Sequence, residues 1–200
     1  MKKYKLTTQD LRTRNTQWVI REYQPELSGE GELCGSGWYH YYHDPLLAVM
    51  FNPAHADIEN PRCFEVEAQG KHLDDNGIKG GCTKMRLMLE IDLPAVTTTQ
   101  RIAFGVLCAK EVYKNRVWNE WADNWLNGKD RSAHAAYAAT YAADAAAYAA
   151  AYAAEHAAYA AAYAAYAADA AAYAAAYTAD AGKWNYTKLR AIAKKAMEIL

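Results

Sequence analysis

Four cysteines and six histidines are scattered through this chain, and Cys34, His40, His43 and Cys63 fall close enough in sequence to suggest a metal site. Nitrogen and sulfur donors suit zinc. The spacing C-x5-H-x2-H-x19-C is that of no standard finger, however, and no C-x-x-C occurs. Buried free thiols and turn-capping histidines are the plainer reading, so no metal is expected. Glu65 and Glu67 stand two apart, on one side of a strand, where a desolvated carboxylate pair could do acid–base work. On a half-exposed strand they form a solvated face instead. Gly35-Ser36-Gly37 has the composition of a phosphate loop but no lysine follows it, and it reads as a turn. Lys183, Lys188, Arg190, Lys194 and Lys195 gather near the C-terminus. A basic amphipathic helix there would suit a membrane surface or an acidic partner. The simpler use of its apolar side (Leu189, Ile192, Ala193, Ala196, Ile199) is to pack on the rest of the protein.

The elements that must position these residues change character near residue 95. Before it, short runs over 3–7, 16–22 and 32–42 read as strands, and 63–70 and 83–93 alternate apolar and polar residues most clearly. The polar, glycine-containing stretch 73–81 reads as their connection. Asp44-Pro45 is a helix start, a capping carboxylate followed by proline at the first position; that helix is predicted over 46–52, ending near Pro53. After Pro94, Thr97 to Thr99 can cap a helix over 100–115, and a second helix over 117–126 places Trp118, Trp121 and Trp125 on one face. The fold class predicted is α+β: a small mixed-strand domain over 1–95, a Trp-rich helical connector over 96–131, a repeat helix over 132–182 and a basic amphipathic helix over 183–200.

The stretch 132–182 is almost wholly alanine and tyrosine, with neither Gly nor Pro before Gly182. Alanine has the highest helix propensity, so one projecting helix of roughly 75 Å is predicted at 1.5 Å per residue, with a fold-back into a layered bundle of close-packed alanine faces as the alternative. Tyr137, Tyr141, Tyr148, Tyr152, Tyr159, Tyr163, Tyr166, Tyr173 and Tyr177 then fall within an arc of about 80°. Asp144, Glu155, Asp169 and Asp180 line one edge of that arc. The twelve letters from Tyr141 to Tyr152 recur from Tyr166 to Tyr177, close to seven full turns later. Nine rings on one side would make an apolar patch larger than a monomer normally exposes. The stripe is therefore expected to be covered by another part of the chain, by a second copy or by a protein partner.

The totals exclude several classes. A net charge of −1 gives no global field favouring nucleic acid. The alanine tract is long enough to cross a bilayer, but its Asp, Glu, His and Tyr residues argue against a span. The opening residues MKKYKLTTQDLR carry no apolar stretch and read as no secretory signal, so a cytoplasmic location with free thiols is expected.

Two resemblances bear on function. ELCGSGWYHYYHDPLLAVMF over 32–51, followed by RCFEVEAQGK over 62–71, resembles an uncharacterised domain of phage and prophage proteins. The shared positions are Cys34, Gly37, His40, Asp44, Pro45, Leu46, Phe64, Glu65, Val66, Glu67 and Gly70, with Tyr4-Lys5 as an opening strand. The segment 118–144, with its Trp-Leu-x-Gly-Lys step and alanine array, is similar to alanine-rich helical segments of immunity proteins. GSGWYHYYHDPLLA also resembles the second motif of ADP-ribosyltransferases. That likeness implies NAD as cofactor, Tyr39 or Tyr41 stacking on nicotinamide, and Glu90 activating the acceptor; the first strand lacks the family's His or Arg. The leading reading is a non-enzymatic protein-interaction module of phage or mobile-element type, an inhibitor or immunity factor, without cofactor. An ADP-ribosyltransferase-like enzyme is the alternative.

Overall fold

The computed structural model describes residues 2–112, 116–132 and 185–200. The predicted Ala/Tyr helix and its nine tyrosines lie outside the described residues. The described residues combine antiparallel strands with helices, an α+β chain. They fall into two units: Met1–Ala95 with Asn185–Arg190, and Val96–Trp184 with Ala191–Leu200.

The first unit is built on a closed barrel of four strands in the order β1 (Tyr4–Thr7), β4 (Tyr39–Tyr42), β6 (Lys79–Ile91), β5 (Arg62–Asp75). All neighbours are antiparallel. Tyr4 opposes Tyr42 on one side and Glu65 on the other, and Tyr39 opposes Cys82. A small hairpin, β2 (Arg12–Thr13) and β3 (Thr16–Gln17), follows β1. Side chains alternate between faces along a strand, so Lys5, opposite Phe64, points inward. There it joins Trp18, Tyr39, Tyr41, Phe64, Cys82, Met85 and Leu87, all buried. The outward residues Leu6 and Tyr42 are buried as well, because helix α1 (Pro45–His55) lies against β1 and β4.

Asp44 caps α1 as its sequence predicts: its Oδ1 accepts the amides of Leu46 at 2.8 Å and Leu47 at 3.4 Å, with Pro45 at the first position. The helix does not stop at Pro53 but runs two residues past it. Proline's fixed φ is helical and it forfeits only one amide. The following turn is held by Asn52, whose side chain bonds both the N–H and the C=O of Ile58. Two strand expectations also change. The stretch 73–81 is not a loop; β5 and β6 pair down to Asp75 and Lys79, and only the turn 76–78 separates them. The runs over 16–22 and 32–42 keep only short strands at Thr16–Gln17 and Tyr39–Tyr42. From Arg21 the chain instead lies along β6, with the N–H groups of Arg21, Gln24 and Leu27 donating to Leu87, Met85 and Thr83. That three-residue step is the period of polyproline II.

Residues 185–190 complete the first unit. The amide of Tyr186 donates to Asn76 C=O, and Arg190 pairs with Asp44 at 2.5 Å. Asp44 therefore caps α1 with one oxygen and holds Arg190 with the other. In the second unit, α2 (Thr98–Val112) opens with a reciprocal box: Thr97 Oγ1 accepts the Gln100 amide and Gln100 Oε1 accepts the Thr97 amide. Helix α3 (Arg116–Leu126) buries Trp118, Trp121 and Trp125, the predicted common face. Helix α4 (Tyr186–Met197) has its first residues in the first unit, and buries Ala193 and Ala196 in the second.

Candidate functional site

A pocket of about 180 Å³ opens on the outer face of the barrel. Its walls come from six places: Lys5 and Leu6 of β1, Thr13 and Arg14 at the β2–β3 turn, His40, Tyr41 and Tyr42 of β4, the C-terminal end of α1 at Ala54 to Ala56, Cys34, and Lys79 at the start of β6. Two of its polar groups exist because of local backbone geometry. Arg14 is the first residue of a two-residue hairpin turn and sits at φ 51°, in the left-handed region that a bulky side chain adopts at a cost. His55 is the last helical residue of α1, delivered there by the extra turn past Pro53.

His55 is fixed on all sides. Its ring stacks on Phe51 at 5.1 Å and on Tyr42 at 5.9 Å, nearly parallel to both. The Tyr42 hydroxyl lies 2.7 Å from its Nδ1. Burial pushes the Tyr42 phenol far above its usual range, so that hydroxyl keeps its proton. Burial, then the charge of Lys79 and proximity to His40, hold His55 down to about 3. The imidazole is thus neutral at pH 7; the buried Tyr42 hydroxyl has no other acceptor among the described residues, so it donates to Nδ1 and leaves the ring proton on Nε2. His40 is also held below its usual value, first by burial and then by Lys5, Lys79 and Arg14, against the bond to Leu33 C=O. A carbonyl only accepts, so His40 Nε2 carries the proton.

The charges around this pocket are all of one sign. Arg14 Nη2 donates to the His55 carbonyl at 3.4 Å, and Lys79 Nζ lies 3.3 Å from Cys34 Sγ. Lys5 lines the pocket from the barrel side; its amine donates to the His40 carbonyl at 2.9 Å and lies 4.9 Å over the Trp18 ring. Burial holds Lys5 down to about 8, so at pH 7 it is still mostly protonated. Among the described residues no Asp or Glu lines the pocket. A concave site with converging cations and no internal counter-ion attracts an anion.

The residues singled out from sequence are placed elsewhere or in other roles. Tyr39 and Tyr41 are buried inside the barrel, Tyr39 donating to Pro25 C=O and Tyr41 reaching His72; of the two, Tyr41 also lines the pocket. Glu90 opposes Phe64 and is gripped by both ends of Arg62, at 2.8 and 2.6 Å. It stands eight residues along β6 from Cys82, the partner of Tyr39, roughly 26 Å at about 3.3 Å per residue. The three are not brought together. Of the four candidate zinc donors, Cys34 and His40 share the pocket, His43 bonds Asp74 at 2.7 Å, and Cys63 is buried beside Leu6 with its thiol pushed up to about 12 by burial. Among the described residues no group of three His, Cys, Asp or Glu stands close enough to hold a metal ion. Glu67 is held below the usual carboxylate range by Tyr23 and then Arg86, as an ionised structural partner, and Glu65 pairs with Lys2. The 35–37 stretch is a turn, and Gly37 is needed there: a Cβ would stand 2.4 Å from the Glu30 carbonyl oxygen.

Arg14 and Lys79 were missed because one sits in a hairpin turn and the other in a presumed loop, 65 residues later. Lys5 gave no signal either: Lys3, Lys5 and Thr7 form the polar alternate set along β1, which reads as its solvent face, whereas the barrel turns Lys5 inward.

Residues 1–99, which include every residue lining the pocket, match the model of a family described as a domain of unknown function (DUF7666). No curated protein and no solved structure matches the chain. Among the described residues no helix is long and apolar enough to cross a membrane.

Proposed function

We propose that the chain is a non-enzymatic binding protein whose first unit receives a small anion in the pocket beside α1. The observation that carries this reading is the convergence of Arg14 and Lys79, over the buried Lys5, on a cavity with no lining carboxylate. The walls are otherwise mostly apolar (Leu6, Ala54, Ala56 and the ring of Tyr42), which suits a ligand with a compact charged head. The two histidines are neutral, so they offer hydrogen bonds without adding charge. Nothing in the placement of Tyr39, Tyr41 and Glu90 favours the NAD-dependent transferase.

In the same proposal the tyrosine stripe over 132–182 is the surface for a protein partner or a second copy. In this reading the chain serves as an inhibitor or immunity factor acting through that surface.

Titration calorimetry of the whole protein at low ionic strength tests the anion site, using inorganic phosphate, sulfate and acetate as probes. Saturable binding of at least one of them, weakened tenfold or more in Arg14→Gln and in Lys79→Gln, is the expected outcome. Loss of one charged hydrogen bond, about 1.5–3 kcal/mol, is of that size. Heats that never saturate, or variants that bind like the parent, would refute it.

A further inference from the structure

Resting on the anion-site reading, the proton positions of the two histidines narrow the ligand. His40 spends its Nε2 proton on the Leu33 carbonyl. Its Nδ1 therefore holds a lone pair, and among the described residues nothing donates to it. His55 is the reverse: Nδ1 is occupied by Tyr42, and Nε2–H is left to donate. The pocket thus offers two cations, one neutral donor and one neutral acceptor.

An acceptor among cations is informative. A fully deprotonated oxyanion has only lone pairs to present, and against His40 Nδ1 it sets lone pair to lone pair. We infer that the pocket takes a tetrahedral anion that still carries a hydroxyl, hydrogen phosphate either free or as the protonated head of a phosphomonoester, in preference to sulfate. The hydroxyl donates to His40 Nδ1 while the charged oxygens accept from Arg14, Lys79 and His55 Nε2. Both imidazoles are held neutral by burial and by the surrounding cations, which keeps this donor–acceptor pattern in place at neutral pH. A buried acceptor left facing another acceptor weakens binding about five- to a hundredfold.

Calorimetry at pH 6 with inorganic phosphate, methyl phosphate and sulfate tests the inference; near that pH both phosphates hold a proton in a substantial fraction of molecules. Inorganic phosphate is expected to bind at least tenfold more tightly than sulfate. Methyl phosphate binding as tightly would point to an ester as the ligand, and a tenfold deficit to the free ion; either supports a proton-bearing anion. In His40→Leu, phosphate and sulfate should come within about twofold of each other. Should that variant fail to fold, the imidazole ¹⁵N resonance of His40 Nδ1 in the parent protein should shift on adding phosphate and stay in place with sulfate. Sulfate binding within twofold of phosphate in the parent, with Arg14→Gln weakening both, would keep the anion site and overturn this inference. No saturable binding of any of the three would overturn the site itself.

Discussion

Lys5 offers the sharpest test of how this barrel is held together. Its amine is buried inside the sheet with one carbonyl acceptor and the face of Trp18, and is held down to about 8 from 10.5. A lysine with a lowered folded-state value binds its proton more tightly in the unfolded chain, so it costs stability below pH 8, and that cost fades as pH rises towards 10.5. One pKa unit is worth about 1.4 kcal/mol, so the cost is about 3 kcal/mol at pH 7 and about 2 kcal/mol at pH 9. Lys5→Met removes it and keeps the bulk of the stem. The substitution also leaves the His40 carbonyl short of a donor, a fixed loss of about 1–3 kcal/mol. The variant should therefore be about 1 kcal/mol more stable than the parent at pH 7, and that gap should shrink by about 1 kcal/mol by pH 9. Cys82 and Cys63 are raised to about 11 and about 12, so they reduce stability only above their unfolded value near 9. Measuring between pH 7 and 9 keeps them out of the comparison. Guanidinium unfolding of both proteins at the two pH values gives the number directly. A gap that does not move with pH would mean that Lys5 is not a buried, unneutralised charge, and the floor of the pocket would lose its cation.

Three further outcomes follow from the same geometry. His55 takes its proton in the unfolded chain near pH 6.5 but in the folded one only near 3, so stability should fall as pH drops through that window, by about 2–3 kcal/mol at pH 4.5; His55→Phe should lose that acid dependence in denaturant titrations at pH 7 and 4.5. Arg14→Gly relieves a left-handed backbone at φ 51° and should raise stability by about 1 kcal/mol while abolishing anion binding, and a variant that melts lower would show that the turn is not strained. Asp44→Asn keeps the helix cap but loses the charge facing Arg190, so it should cost about 1 kcal/mol, whereas Asp44→Ala loses both and should cost about 2–3 kcal/mol; equal costs in thermal unfolding would mean that the ion pair contributes nothing.

Signals that are local in sequence read through to the structure. Asp44-Pro45 and the Thr97-to-Gln100 box cap their helices because a cap needs only its own first turn. The tryptophan face of α3 follows from helical spacing alone. Features decided by distant partners did not read through. The outer end of β5 is exposed over Lys71 to Asp74 and β6 begins Lys79-Gly80-Gly81, so no apolar alternation marks either as a strand, and their pairing with each other is what makes them so. Alternation over 16–22 suggested a strand that exists for two residues, because Trp18 turns into the barrel and the following chain lies along β6 with a three-residue step. The pocket was least legible of all. It assembles a turn arginine, a strand-start lysine and a helix-end histidine that only barrel closure brings to one place.

Asp44 has its two partners at very different times during synthesis. The α1 amides that it caps follow it directly, but Arg190 emerges about 90 residues after the end of the 1–99 stretch, and at roughly 5–20 residues per second that is a delay of about 5–20 seconds. During that interval the barrel can close around Trp18 and Phe64 while the turn 76–78 and the free oxygen of Asp44 stay open to water. The nascent first unit is thus finished by residues 185–190, and a ribosome stalled within the alanine tract would hold it without the Tyr186 and Arg190 contacts of its native form.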